Sequence, residues 1–316
     1  MKISRSIWWN GEFVAWEDAT VHVLSHSLQR GSLIFDYMSV HETRRGPAIF
    51  RLPEHVARLF ASAELVGLSL EQSPAAIEAA IEETVRRNPG ATAVKVSAFL
   101  PSIEVDVVPA DPRVALAIAA YDPVADIQAH KASGVPARRE SARLWIEKSV
   151  KNRRLDIMPP QAKVAANYTS PMLAKWKARA AGYDEIVLID EEGCVAEGPT
   201  TNVFLVDAAG TLVTPSEKHV LLGVTRRSLL EIAEVCGIPV REGRVTPADL
   251  FAAREVFLSG TTAGVLPVES IDGVPVGDGK PGPLTLRLGA RLREIQAGAD
   301  PAFLHWLAPA DSGARG

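Results

Sequence analysis

Cysteine is scarce in this chain: Cys194 and Cys236 are the only two in 316 residues. They form neither a disulfide framework nor a metal-ligand spacing, so no metal site is expected. Each has a valine beside it, Val195 or Val235, and both read as buried, inert thiols of the kind a reducing cytosol permits. Long apolar runs are missing too. The longest, Val114 to Ala120, is strand-sized and well short of the ~18 residues of a membrane span. The stretch from Met1 to Gly11 lacks the apolar core of a signal peptide, which makes a cytoplasmic protein the expectation. Neither sign of charge dominates. A net charge of −4 gives no electrostatic case for nucleic acid or an anionic membrane as partner. Repeats and low-complexity tracts are absent. What remains is ordinary globular material, 47% hydrophobic and 23% charged, long enough for two domains with a substantial shared core.

The first third reads as strands followed by helices. Trp8 to Val14 carries the Asn10-Gly11 signature of a tight hairpin, and further strands are expected at Val21–Leu24, Ile34–His41 and Ala48–Arg51. Pro53 suits a first helical turn, with Val56, Leu59, Phe60 and Ala63 on one face and Gly67 as the stop. A second helix starts at Ser73-Pro74 and turns Ile77, Ile81 and Val85 inward. Strands at 93–100 and 114–121 complete this part. Residues 123–140, rich in turn formers, read as a linker between an N-terminal domain (1–122) and a larger C-terminal one (141–316). In the latter, helices are expected at Thr169–Ala181, Thr225–Cys236 and Pro247–Ala253, and from about Pro283. Strands are expected at Glu185–Asp190, Cys194–Glu197, Asn202–Asp207, Ile238–Val245 and Glu255–Ser259. Hairpins mixed with helices indicate an α+β fold.

Lys163 lies between Pro159-Pro160 and a helix, flanked by Ala162, Val164, Ala165 and Ala166. Most lysines are solvated surface residues, but small apolar flanks desolvate an amine and favour its nucleophilic form. Glu197 ends a run of small residues, and a carboxylate buried there needs a cation. A lysine amine and an acid aimed at a pyridine nitrogen are the two contacts that turn pyridoxal phosphate into a catalyst, the amine as a Schiff base and the acid as the group that keeps the ring protonated. Gly223-Val224-Thr225, opening a helix at Arg226, offers backbone amides and a hydroxyl to a phosphate, although Thr225 as a plain N-cap looks the same. Ser259-Gly260-Thr261-Thr262-Ala263 is a second loop of hydroxyls and amides. Arg51 is a candidate counter-charge, with surface pairing to Glu54 as its alternative. Tyr168 either tunes the cofactor's phenolic oxygen or caps the helix entry.

These segments, together with Phe50-Arg51-Leu52-Pro53-Glu54-His55 and Gly182-Tyr183-Asp184-Glu185, resemble the class IV (fold-type IV) pyridoxal-phosphate-dependent aminotransferases, and among them the branched-chain amino acid aminotransferases. The match runs over nearly the whole chain. The resemblance implies a small N-terminal α/β domain, a larger α/β-barrel-like C-terminal domain and a homodimer. It implies that Lys163 carries the cofactor and is catalytic, and that Glu197 contacts the pyridine nitrogen. Arg51, Gly223, Val224, Thr225 and Thr261 then hold the phosphate, with Tyr168 on the ring oxygen. The substrates implied are an amino donor and a 2-oxo acid.

Substrate-facing positions depart from the branched-chain pattern. Where those enzymes show Tyr-Gly, then Phe-Glu-Gly and an arginine, this chain has Arg30-Gly31 and then Phe35-Asp36-Tyr37 with Ser39; where they show Tyr-x-Arg it has Ala93-Val94-Lys95. Arg30, Phe35, Tyr37, Lys95, Thr262 and Ala263 are therefore the candidate substrate residues. Arg30 is expected to clasp a carboxylate better than Lys95, because a guanidinium makes two parallel hydrogen bonds. An (R)-selective amine or D-amino acid transaminase, an aminodeoxychorismate lyase-like enzyme and a non-catalytic homologue remain alternatives.

Overall fold

The computed structural model describes residues 3–130 and 139–310. The chain divides into two compact units. Unit 1 comprises Met1–Ala137, Ala162–Ala166 and Ile295–Gly316, and unit 2 comprises Arg138–Gln161 and Asn167–Glu294. Part of the expected linker, 131–138, lies outside the described residues. Within the described part of that linker, Pro123–Ile127 forms a helical turn that Asp122 caps through the N–H groups of Val124 and Ala125.

In unit 1, β1 (Ser6–Trp9) and β2 (Glu12–Ala15) form a hairpin. Asn10 and Gly11 sit in its turn at φ 48° and 104°, which is why this dipeptide marks it. There follow α1 (His26–Arg30), β3 (Ile34–Thr43), β4 (Gly46–Phe50), α2 (Leu52–Val66), α3 (Pro74–Arg87), β5 (Ala93–Phe99) and β6 (Ala115–Tyr121). With a C-terminal strand, Leu307–Pro309, they make a seven-stranded antiparallel sheet in which β4, β3, β5 and β6 are successive neighbours. Ser73 caps α3, and Gly67 in the left-handed region ends α2. Ile77, Ile81 and Val85 are buried as their spacing predicts. Along β3, Ile34, Asp36, Met38 and Val40 are buried, whereas Phe35, Tyr37, Ser39 and His41 are half-buried on the other face. The buried face meets α2. The strand expected at Val21–Leu24 does not form. Val21, Val23 and Leu24 are exposed, and the pairing nearest to them is an isolated bridge from Ser25 to Ile103.

Unit 2 contains β7 (Ala142–Glu147), α4 (Thr169–Ala180), β8 (Glu185–Leu188), β9 (Asn202–Val206), β10 (Leu212–Pro215), α5 (Val224–Val235), β11 (Val240–Gly243), α6 (Pro247–Ala252), β12 (Glu255–Gly260), β13 (Gly264–Ile271), β14 (Val274–Pro275) and α7 (Pro283–Gln296). Its mixed sheet runs β11-β10-β9-β12-β13-β7-β8, with β14 on β13. Leu144, Ile146, Val187, Val203, Leu205, Val256 and Leu258 pack into one core, and Phe204 stacks on Phe257 at 5.0 Å. Each such side chain contributes ~1.5–3 kcal/mol by leaving water. An antiparallel sheet in one unit and a mixed sheet in the other, each with its helices, bear out the α+β reading. Two details differ. The expected strand Cys194–Glu197 makes only isolated bridges, Ile189 to Val195 and Glu197 to Asn202. Gly198-Pro199 interrupts the ladder, Pro199 having no N–H and Gly198 turning back to Thr201 O at 2.8 Å. Cys236 is half-buried rather than buried.

Candidate active site

Lys163 belongs to unit 1, on a short segment laid against β3. Phe35 N–H donates to Lys163 O at 3.0 Å, Ala165 N–H donates to Leu33 O at 2.7 Å, and Ile34 bridges Val164. The segment thus acts as an extra antiparallel strand, with Lys163 opposite Phe35. Lys163 Nζ stands 4.9 Å from the centroid of the Phe35 ring. From the other side of β3, Lys95 Nζ lies 4.7 Å from the same centroid. Lys95 is half-buried, and burial lowers its pKa. No carboxylate pairs with it among the described residues. Tyr37 is its cross-strand partner. Lys163, Phe35, Tyr37 and Lys95 therefore occupy one face of the unit 1 sheet, which continues into Ser39 and His41, bonded to each other at 2.8 Å.

Arg30 is placed differently. It is exposed, and its Nη2 donates to the carbonyl of Val105 at 2.8 Å. His26 holds the same loop through Val107 O, also at 2.8 Å. Arg51 is only 2% exposed, so its surface alternative fails although its expected partner is present: Nη1 meets Glu54 at 2.6 Å while the guanidinium lies 3.5 Å over Trp306. Its φ of 55° is left-handed and turns the chain sharply from β4 into α2.

In unit 2, Glu197 is 2% exposed, and the cation it needs is Arg153, whose Nη1 lies 2.9 Å away. Its second oxygen accepts from Leu221 N–H at 3.0 Å and Asn202 Nδ2 at 3.4 Å. The Arg153 guanidinium also lies 5.1 Å from the Tyr168 ring centroid, tying Tyr168 to Glu197 through one side chain. Nothing in the sequence distinguished Arg153. A signal existed in principle, because a glutamate buried among small residues demands a cation, but the choice among basic residues is made by the fold.

The two loops rich in amides and hydroxyls come together around Asn202. Gly223 is the N-cap of α5 and no side chain caps the helix, so Thr225 is inside the first turn rather than at the cap. A side chain on Gly223 would overlap Asn202 Oδ1. Ser259 is the cross-strand partner of Asn202, and a Cβ on Gly260 would come within 3.1 Å of Thr200 O. Thr261, Thr262 and Ala263 form the turn between β12 and β13, with Thr262 exposed and the other two half-buried. The buried hydroxyls of Thr201 and Ser259, flanking Asn202 in the chain and across the ladder, have no hydrogen-bond partner among the described residues. Buried polar groups are nearly always paired, so these two hydroxyls are available to a polar ligand. A dianionic phosphoryl group fits hydroxyl donors beside an uncapped helix N-terminus, and a cationic ring nitrogen fits the buried carboxylate of Glu197.

Comparison with known proteins gives this geometry a family. The family described as amino-transferase class IV matches residues 33–271. A branched-chain-amino-acid aminotransferase of Escherichia coli (strain K12) is 35% identical over 305 residues, covering 95% of this chain and 96% of its own. The crystal structure of the T.th. branched-chain amino acid aminotransferase with pyridoxamine 5'-phosphate superposes with a TM-score of 0.90 at 38% identity, covering 98% of this chain and all of its own. The same enzyme complexed with N-(5'-phosphopyridoxyl)-L-glutamate gives 0.89 at 37%, covering 98% and 99%. The chain belongs to the class IV aminotransferases.

Proposed function

We propose that this chain is a pyridoxal 5'-phosphate-dependent transaminase that moves an amino group between an amino acid of branched-chain type and a 2-oxo acid. The observation that carries the reading is Lys163: a half-buried lysine whose backbone is built into a sheet, in a chain similar to enzymes solved with pyridoxyl ligands. Pyridoxal phosphate supplies the electron sink that makes a carbon beside nitrogen acidic. Lys163 holds the cofactor through its amine and, once released, moves the proton at the substrate carbon. Glu197, with Arg153 behind it, holds the proton on the ring nitrogen. Tyr168 contacts the ring oxygen. Gly223, Val224, Thr225 and Thr261, with the hydroxyls of Thr201 and Ser259, bind the phosphate, with Arg51 as its counter-charge. Lys95 receives the substrate carboxylate, being a cation on the face that carries Lys163 with no acidic partner among the described residues, and Phe35 and Tyr37 line that face.

The working form is a cytoplasmic homodimer. No helix among the described residues is long and apolar enough to cross a membrane. The loop that Arg30 and His26 pin down also exposes Ile103, Val105, Val107 and Val108, Val105 at 94%. Apolar side chains exposed on a tethered loop mark a contact surface, and a second copy is the occupant we assign. Initial rates with L-leucine, D-alanine and (R)-1-phenylethylamine against 2-oxoglutarate test the reading. L-leucine should be the preferred donor, and preference for either of the others would replace it with a D-amino acid or (R)-amine transaminase.

A further inference from the structure

Lys163 is fixed by more than the strand beside it. While Phe35 takes its carbonyl, its own N–H donates to Ser62 Oγ at 3.0 Å, and Ser62 is wholly buried on α2. His55, Arg58 and Ser62 follow one another at three- and four-residue steps and so share a stripe of that helix. The first two clamp Asp36, the residue after Phe35. His55 Nδ1 lies 2.6 Å from Asp36 Oδ1, and Arg58 reaches both carboxylate oxygens at 2.8 Å through Nε and Nη2. Phe35 and Ser62 grip the lysine's peptide groups from two sides, and Asp36 locks together the strand and the helix that carry them.

Stability alone does not account for such a cluster. Asp36 is at zero exposure, and taking a carboxylate there has a desolvation cost that well-placed cations about offset; apolar residues of the same volume commonly do as well or better. A fixed register is what apolar packing does not supply: sliding α2 along β3 breaks all three Asp36 contacts together. Burial pushes the Asp36 carboxyl up, yet Arg58 and His55 outweigh it and hold it well below the ordinary range. Burial drives His55 down, Asp36 opposes that, and the nearby charges of Arg58 and then Lys163 add to the lowering.

We propose that Ser62, seated by the Asp36–His55–Arg58 cluster, is a positioning residue for Lys163 that sets where its amine stands and how readily it reacts. This rests on Lys163 being the attachment point of the cofactor. Ser62→Ala removes the acceptor at almost constant volume, and Ser62→Thr keeps it. Two titrations read the effect: the pH at which the visible band of the bound cofactor converts, and the pH dependence of Lys163 acetylation in cofactor-free protein, followed by mass spectrometry. In Ser62→Ala both midpoints should move by about half a unit or more. kcat should fall about tenfold with KM within about twofold, and Ser62→Thr should restore both midpoints. A lower melting temperature with both midpoints at the parent value overturns the assignment and leaves Ser62 a packing residue. If Ser62→Ala does not fold, Arg58→Lys, which keeps the charge but loses the two-pronged grip, is read by the same titrations. A parent protein without a borohydride-reducible adduct at Lys163 instead removes the transaminase reading, and the acetylation midpoint still decides the role of Ser62.

Discussion

The two units hold their key side chains by opposite means. In unit 1 the lysine segment is held through its backbone, by Phe35, Leu33 and Ser62, leaving the amine to lie over an aromatic ring. In unit 2 the key carboxylate is held through its side chain, by Arg153, Asn202 and the Leu221 amide. The difference matches the roles proposed for the two groups. A lysine that bonds covalently and moves a proton needs a fixed root and a mobile tip. A glutamate that stays against a ring nitrogen needs its charged end immobilised. It follows that the two sites should fail differently when mutated.

The largest effect is expected from Lys163→Ala, which removes nucleophile and proton carrier together. Turnover should drop by roughly four orders of magnitude or more, while the melting temperature of the cofactor-free protein stays near that of the parent, since the backbone bonds remain. Substantial turnover in that variant would break the comparison on the unit 1 side.

Glu197→Gln tests the other half. It should leave Arg153 buried without its counter-charge, at a cost of ~3–5 kcal/mol, seen as a fall in melting temperature of roughly 5–15 °C. Turnover should slow as well. The double variant Glu197→Gln, Arg153→Met should recover most of the stability and none of the rate. If the single variant melts like the parent, the ion pair does not hold the site.

The lysine proposed to carry the cofactor stands out in the sequence and its supports do not, for a physical reason. Lys163 and Glu197 stand out because their neighbours are small and apolar, a local signal. Arg153, Asn202, Ser62 and Asp36 matter through partners far along the chain: Ser62 reaches Lys163 only because α2 packs on β3, and Arg153 reaches Glu197 across 44 positions. The α+β class and most helices were readable from periodicity and caps, as at Ser73 and Gly67. The strands β7, β10 and β13 were not, and Val21–Leu24 looked like one, because a short apolar run becomes a strand only where a neighbouring edge accepts it. Substrate recognition shows the same limit. Chemistry favoured Arg30, whereas placement favours Lys95, since the Arg30 guanidinium is engaged with the Val105 loop.

Lys95→Ala sharpens that point with a smaller effect. Losing one charge-assisted contact costs about 1.5–3 kcal/mol, which should raise KM for 2-oxo acids roughly 10- to 100-fold and spare simple amines that lack a carboxylate. Arg30→Ala should weaken both substrate classes equally. The reverse pattern in Michaelis constants would return the carboxylate to Arg30.

The smallest expected effect is on stability against pH. Burial lowers the His41 pKa from 6.5 to about 4, so the folded state resists protonation that the unfolded chain accepts. The contribution of His41 is present above pH 6.5 and is lost as pH falls from there to about 4. Denaturant melts in that window should therefore slope less in His41→Phe than in the parent, and equal slopes would show that His41 is not the titrating group.

The most direct measurement is to reduce the cofactor-loaded protein with borohydride, digest it and locate the pyridoxyl mass by tandem mass spectrometry. A single modified lysine, Lys163, is the result the account predicts. A pyridoxyl group on Lys95 or any other lysine, or none at all, would contradict it.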